Sequence, residues 1–389
     1  MTTGSIHLNG KPISDIRRVA CISTSRADAG IYRPLMRALI DSGYETLCLA
    51  GGTHLDPAYG GTIDQLEAIE GLRVVRVAHS TGDGTPKGVA AAAGEAMAAF
   101  GRALDDTRPE LAFALGDRLE MLAAVLSASV ARVPVAHLHG GERTTGAYDD
   151  ACRDAITMMS SLHFVAAPAY AARLRSIAPD AGRVFCVGAL AIDTLLQFKP
   201  LSVAATSRAI GLDMSAPTAM VLLHPETLSA IPAAEQGRIV VNALRDEDLR
   251  LLLFGVNADV GCDALGRELA SFAKSRDDVV SVASADADVF HSCMAHAALM
   301  IGNSSSGVIE AASFGLPVVN VGERQGGRLR TKNVLDTPFD VAAIQSAIRR
   351  ARTPAFRASL SGMPNPFGDG RAANRILRVL AGESCKMFE

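Results

Sequence analysis

Short apolar runs recur along the chain and alternate with segments of helical periodicity, which predicts strand, turn and helix in succession. From Arg17 the run RRVACIS leads into Thr24-Ser25-Arg26-Ala27-Asp28-Ala29-Gly30, after which IYRPLMRALIDSG reads as a helix. YETLCLAGG and LRVVRVAHS follow as strands, then an Ala-rich helix over about Gly88 to Leu104 and the short buried strand LAFAL. The helix MLAAVLSASVA, a strand within VPVAHLHGG, a helix from about Asp149 to Ser161, the strand LHFVAA, the helix PAYAARLRSIA and the strand RVFCVGA complete a first half. Gly188 to Pro200 reads as a connection. Beyond it TAMVLL, LRLLLFG, VVSVAS, AALMIG and PVVNVG form a second set of strands with helices between them, and RAANRILRVLAG is a last helix. Such alternation builds parallel sheets, so the expected class is α/β in two successive units.

A length of 389 residues supports two units, since one core rarely serves so long a chain. The expected organisation is a polar lead-in over 1–16, a first domain over 17–190, a second over 191–366, and a terminal helix and tail over 367–389 that packs back on the first domain. No apolar run approaches the ~20 residues needed to span a bilayer, and the N-terminus lacks a basic stretch followed by an apolar one. Seven cysteines are scattered without any C-x-x-C pair, which points to reduced thiols and a cytoplasmic setting and argues against structural zinc. A net charge of −3 without a Lys/Arg block leaves no footprint for nucleic acid. A small-molecule enzyme, with neither nucleic acid nor membrane as partner, is the expectation.

The densest chemistry lies in VPVAHLHGGERTTGAYDD, Val133 to Asp150. His137, His139 and Glu142 leave the end of a buried strand on two glycines, and Asp149 and Asp150 return within the same stretch. Open parallel sheets bind ligands outside the carboxyl ends of their strands, so this loop is a candidate acid/base site. A glycine turn carrying surface charges is the plain alternative. Asp117, at the end of LAFAL, belongs to a neighbouring loop, although Asp117 with Glu120 also fits a helix capping box. In the second half, Asn303-Ser304-Ser305-Ser306-Gly307 opens a helix, and three hydroxyls with unpaired N–H groups at a helix N-terminus form an anion site. Glu323 to Arg330 is a basic, flexible loop suited to gripping phosphate, or simply a solvated one.

These residues form a series: Ser25-Arg26-Ala27-Asp28, Gly116-Asp117-Arg118, His137-x-His139-Gly140-Gly141-Glu142, Ala155-Ile156-Thr157, His224-Pro225-Glu226, Asn257-Ala258-Asp259, Gly302 to Gly307, and Gly322-x-Arg324-Gln325. From about Arg17 to Leu380 the series resembles the hydrolysing UDP-N-acetylglucosamine 2-epimerases. The resemblance implies a GT-B fold, two Rossmann-like domains with parallel sheets and the active site in the cleft between them. It implies conversion of UDP-N-acetylglucosamine and water to N-acetylmannosamine and UDP, by anti elimination to a glycal and then hydration. The same reaction on UDP-2,4-diacetamido-2,4,6-trideoxyglucose, for legionaminic acid, is the second reading, and a GT-B glycosyltransferase the third.

Carried over, the resemblance makes Asp117, His139, Glu142 and Asp149 the catalytic set around C1 and C2 of the sugar. Arg26, His224, Asn257, Ser304, Ser305, Ser306, Gly307 and Arg324 are implied for the nucleotide and its phosphates, and Glu310 for the ribose hydroxyls. No cofactor or metal is expected, because Arg26, His224 and the serine turn suffice for the leaving group. A homo-oligomer, dimer or tetramer, is implied. Some relatives carry Glu at the position of His139. Ile31 stands where non-hydrolysing bacterial epimerases have Lys, whereas Asp154, Met158 and Val260 replace a usual His, Lys and Thr. Asp154 and Met158 therefore imply two cations lost from one helix near the site.

Overall fold

The computed structural model describes residues 6–57, 61–178, 180–196, 198–256, 259–283, 285–384 and 387–388, and its apolar runs assemble into two parallel sheets. The chain starts with a short antiparallel hairpin, β1 (His7–Leu8) and β2 (Lys11–Pro12). β3 (Arg18–Ser23), β4 (Glu45–Gly51), β5 (Arg73–Val77), β6 (Leu111–Leu115), β7 (Val135–Leu138), β8 (Leu162–Val165) and β9 (Val184–Cys186) then form a seven-stranded sheet in the order β5-β4-β3-β6-β7-β8-β9. The second sheet contains β10 (Thr218–Leu222), β11 (Arg250–Phe254), β12 (Val279–Val282), β13 (Leu299–Gly302), β14 (Val318–Val321) and β15 (Val334–Thr337), in the order β12-β11-β10-β13-β14-β15. This is a GT-B architecture, with helices on both faces of each sheet.

Burial explains why these runs are strands. β6, β7, β8 and β10 are buried at every position, as expected of parallel strands covered on both faces. In both sheets the first strand sits in the middle, and the order reverses beside it, at β3/β6 and at β10/β13. Loops leaving adjacent strands at such a reversal diverge to opposite faces and open a crevice at their carboxyl ends. Fold topology therefore selects the loops after β3, β6, β10 and β13 as the place for a ligand.

Several local expectations change. The segment read as a polar lead-in buries Leu8, Ile13 and Ile16 in the first core, because its polar residues face outward around three anchors. β15 follows the basic loop and was not anticipated, since VLDT is too short and mixed to stand out. The helix Leu119–Val130 starts at Arg118 without a side-chain cap, so Asp117 and Glu120 form no capping box. The box lies one loop away, where Ser25 Oγ accepts from Asp28 N (3.4 Å) and the Asp28 carboxylate accepts from Ser25 N (3.0 Å). Among the described residues no helix is long and apolar enough to cross a membrane, and Cys21, Cys48, Cys152, Cys186, Cys262 and Cys293 are free and buried.

The last helix, Ala372–Leu380, packs Ala372, Ala373, Ile376, Val379 and Leu380 into the core of the first sheet. Its first N–H groups are satisfied from outside, since the Asp193 carboxylate accepts from Ala372 N (2.9 Å) and Ala373 N (2.7 Å). Ile376 is fully buried there. Ile376→Ala is expected to cost about 2–5 kcal/mol, from lost apolar transfer and a residual cavity. A lowered thermal midpoint in calorimetry checks this, and an unchanged one would show that the helix does not anchor the first core.

Candidate active site

The two reversal points face one another across a cavity of about 630 Å³ between the sheets. Its first-domain wall includes Ser25, Asp117, Arg118, His139, Asp149 and Arg153. Its second-domain wall includes His224, Ser304, Ser305, Ser306, Glu310 and Arg324, with Phe254 and Phe290 at one end. Nine of the thirteen residues singled out from the sequence thus line one space: Asp117, His139, Asp149, His224, Ser304, Ser305, Ser306, Glu310 and Arg324.

The acid/base wall is built by β7 and the loop after it. His137 lies within the strand, fully buried, with Nε2 against Gly116 O (2.8 Å) and Nδ1 against Thr157 Oγ1 (3.1 Å). Burial pushes its pKa down to about 3, so it is a neutral structural post rather than a proton carrier. His139 is the first residue past the strand and sits at φ +62°, a left-handed conformation that a non-glycine side chain rarely takes. Gly141 follows at φ +79°, where a Cβ would lie 2.7 Å from Tyr170 O. The tight turn brings Glu142 back beneath the ring, with Glu142 Oε1 2.6 Å from His139 Nδ1. His139 Nε2 has no partner among the described residues, and the ring lines the cavity. An imidazole oriented through one nitrogen with the other free is an acid/base group.

Glu142 itself is not on the cavity wall. It is completely buried, and its other oxygen lies 2.7 Å from Arg328. Burial alone would push its carboxyl up, but Arg328, His139 and Arg153 outweigh burial and hold it well below the usual carboxylate range. Beside it, the buried Arg153 ion-pairs with Asp117 and donates to Glu142 O (3.0 Å), Thr144 Oγ1 (3.1 Å) and Asp150 Oδ1 (3.2 Å). Asp149, the first residue of the helix Asp149–Met159, faces the cavity. Burial first, then Asp117 and Asp259, push its carboxyl up to about 7, against the pull of Arg324 and Arg118. A carboxyl at that level can give or take a proton near neutrality.

The opposite wall is suited to anions. Asn303 joins the ends of β13 and β10 by a reciprocal pair, accepting from His224 N (2.8 Å) and donating to His224 O (2.9 Å). Ser304 then caps the short helix Ser305–Ile309 by accepting from Ser306 N (3.4 Å), while the serines line the cavity. Gly307 does not line it: a Cβ there would lie 3.0 Å from Val318 Cγ1, so the residue serves close packing on β14. Glu310 is held by His291 Nε2 at 2.9 Å. Asn257 and the side chain of Arg26 lie outside the described residues.

Most of the basic loop is packed rather than solvated, with only Glu323 and Gly327 exposed. Gln325 is fully buried and donates to Asn303 O (2.8 Å), and Arg324 N donates to Glu226 Oε1 (2.7 Å). The loop also grips the first domain: Gly146 N donates to Glu323 O (3.1 Å) and Thr145 N to Gly326 O (3.2 Å). A Cβ at Gly146 would lie 2.7 Å from Arg324 N, so the two backbones can approach only because that residue is glycine. Arg324 reaches across to Asp149 (3.7 Å) and to Asp259 (3.8 Å), and Arg118 to Asp259 (3.7 Å).

Asp154 and Met158 do not take charge away from the cavity. Asp154 pairs with Arg173 (2.7 Å) on the next helix and Met158 is half exposed, and neither lines the cavity, because the helix presents its other face to it. Ile31 does line it. The residues that motif reading left unassigned are Arg118, Arg153, Asp259 and Arg328, the buried charges between the loops. Arg118 and Asp259 sat inside quoted motifs and Arg328 inside the loop read as gripping phosphate, where nothing pointed to a carboxylate partner, whereas nothing in the spacing of Arg153 distinguished it from a surface arginine. Among the described residues no three His, Cys, Asp or Glu side chains are grouped as a metal ion would require.

A family model described as UDP-N-acetylglucosamine 2-epimerase matches residues 38–381. The UDP-N,N'-diacetylbacillosamine 2-epimerase (hydrolyzing) of Legionella pneumophila is 33% identical over 371 residues, covering 94% of this chain and 96% of that protein. The polysialic acid biosynthesis protein P7 of Escherichia coli is 29% identical, covering 94% of each chain. The crystal structure of UDP-GlcNAc 2-epimerase from Neisseria meningitidis bound to UDP-GlcNAc superposes with a TM-score of 0.78 at 16% identity, covering 93% of this chain and 99% of that one, a likeness of fold. With the motifs gathered in one cleft and similarity running nearly end to end, the chain belongs to the UDP-N-acetylglucosamine 2-epimerase family.

Proposed function

We propose that the protein is a hydrolysing 2-epimerase of a UDP-2-acetamido sugar, releasing UDP and the free 2-epimer. The observation that carries this reading is the pairing, on one wall of the cavity, of two separate proton carriers, His139 with its free Nε2 and Asp149 with its carboxyl near 7. Inverting C2 requires removing a proton from one face and returning one to the other, which one fixed group does not do. His139 takes the C2 proton at Nε2, the C2–H electron pair becomes the C1=C2 bond, and the C1–O pair leaves with UDP. Asp149 then protonates C2 from the opposite face, water adds at C1, and its surplus proton returns to the Asp149 carboxylate. The proton on His139 passes to solvent.

Arg324, His224, the serine turn and Arg26 stabilise the departing diphosphate, with Asn257 and the backbone beside Gly307 completing the nucleotide site and Glu310 taking the ribose hydroxyls. Arg153 fixes Asp117 at the rim of the sugar site, and Glu142 acts through His139. A glycosyltransferase on the same fold would need an acceptor base but not this second acid. For the sugar, the Legionella relative and the Campylobacter jejuni GDP/UDP-N,N'-diacetylbacillosamine 2-epimerase, 28% identical, favour the 2,4-diacetamido-2,4,6-trideoxy sugar over N-acetylglucosamine. A Neisseria meningitidis UDP-N-acetylglucosamine 2-epimerase is 27% identical and keeps the simpler sugar as the alternative.

A proton NMR time course in heavy water with each UDP-sugar tests the reading. UDP release with a free 2-epimer carrying deuterium at C2 is expected. A UDP-linked epimer as the accumulating product would identify the non-hydrolysing reaction instead, and transfer to an acceptor sugar a glycosyltransferase.

Asp149 acts in its protonated form, which is lost as pH rises through about 7, so kcat/KM should fall above that pH. Asp149→Asn is expected to lower kcat on the order of 10²–10⁴-fold. A pH profile whose alkaline limb stays unchanged in a partially active Asp149 variant would move the acid role to another residue.

A further inference from the structure

Arg328 belongs to the second domain, yet its guanidinium lies 2.7 Å from Glu142 Oε2, deep in the first. Glu142 Oε1 is at the same time 2.6 Å from His139 Nδ1, so one buried carboxylate is shared between an arginine and an imidazole. Both Glu142 and Arg328 are nearly or wholly removed from water, with side chains 0% and 9% exposed, so their charges act on each other with little screening. A buried carboxylate facing only an imidazole would hold that ring as imidazolium and leave Nε2 occupied by a proton. With a cation on its far oxygen, the same carboxylate orients the ring and gives up part of its hold on the second proton.

We propose that Arg328 is a positioning residue: by sharing the charge of Glu142 from the opposite domain, it keeps His139 oriented and neutral. The proposal rests on the reading of His139 as the base. Arg328 is joined to the nucleotide wall by its own loop, since Arg324 and Gln325 both reach Asn303 O, at 3.4 and 2.8 Å, beside the serine turn. Binding of a diphosphate on that wall and the state of the base on the other are thereby linked through one rigid loop. The charged and titratable groups around His139 are Glu142 on its own loop, Arg153 and Asp149 on the helix Asp149–Met159, Asp117 after β6, Tyr170 on the helix Pro168–Ile177, whose hydroxyl accepts from Leu329 N (3.1 Å), and Arg328. From the other domain come Arg328, on Glu142, and Arg324, which pairs with Asp149 at 3.7 Å.

The test follows the ring nitrogens of His139 by 15N NMR in the full-length protein without substrate, the signal being identified by its absence in His139→Asn. In Arg328→Gln the second ring nitrogen should become protonated about one pH unit higher than in the unaltered protein, and the acidic limb of kcat/KM should move up with it. Arg328→Lys, which keeps the cation, should leave both near their original pH, and it remains informative if Arg328→Gln does not fold. An unchanged or lower pH of protonation in Arg328→Gln, or a full-unit rise in Arg328→Lys, would overturn the proposal. Because the nitrogen signal needs no turnover, inactivity on every UDP-sugar would count against the proposed reaction and not against this link.

Discussion

A buried guanidinium cannot shed its proton, so it must be surrounded by acceptors or not be buried at all. Arg153, with a side chain 1% exposed, meets most of that demand with groups from three places, the Asp117 carboxylate after β6, the Glu142 carbonyl and Thr144 hydroxyl after β7, and Asp150 on its own helix, its Nε alone lacking a partner among the described residues. Those are the segments that line the first-domain wall of the cavity. Their mutual position is therefore set by the requirement to neutralise one charge, not by apolar packing, which reaches only the roots of the loops. The same requirement explains why Asp117 caps no helix: its carboxylate is already engaged.

The strands and most helices were legible because parallel strands buried on both faces leave unbroken apolar runs, and LAFAL and LHFVAA show them plainly. Edges were less legible. β15 is half-exposed, and the hairpin of residues 7–12 carries its meaning in Leu8 alone. The site divided in a similar way. His139, Asp149 and the serine turn stand at strand ends or helix starts, where position along the chain fixes position in space. Arg153 and Arg328 draw their importance from partners far away in sequence or in the other domain, and no local spacing encodes that. Glu142 was recognised as an ionisable group of the motif, but its complete burial behind His139 could be seen only with the fold in hand.

His139 combines two costs, a left-handed backbone at φ +62° and a buried ring nitrogen without a partner among the described residues. Such conformations cost of order 1–3 kcal/mol and persist only where the surroundings over-determine them. Here Glu142 holds one side of the ring, and the turn at Gly141 fixes the return of the chain. His137, two residues earlier on the same strand, shows the relaxed alternative, with both nitrogens satisfied and the ring neutral. Within one tripeptide, hydrogen-bond accounting thus separates a histidine with both ring nitrogens engaged from one with a nitrogen unpartnered among the described residues.

The cavity is chemically divided along the line between the domains. His139 and Asp149 stand on the first wall, and the serine hydroxyls and Arg324 stand on the second, so the titratable groups and the anion-suited groups come from different domains. What joins them is in part apolar, a buried cluster that gathers Val308 and Ile309 with Val165, Tyr170 and Leu174, and in part polar: Gly146 to Glu323, Thr145 to Gly326, Leu228 N to Gly146 O at 3.2 Å, Tyr148 N to Thr227 Oγ1 at 3.2 Å, and the ion pairs of Arg324 and Arg328. Each neutral hydrogen bond of this sort is worth roughly 0.5–1.5 kcal/mol net, since water replaces it on opening. The exception is Glu142 with Arg328, a charge pair in which the carboxylate is wholly buried. Glu142 with Arg328 is thus the charged contact of that seam that also touches the ring of His139.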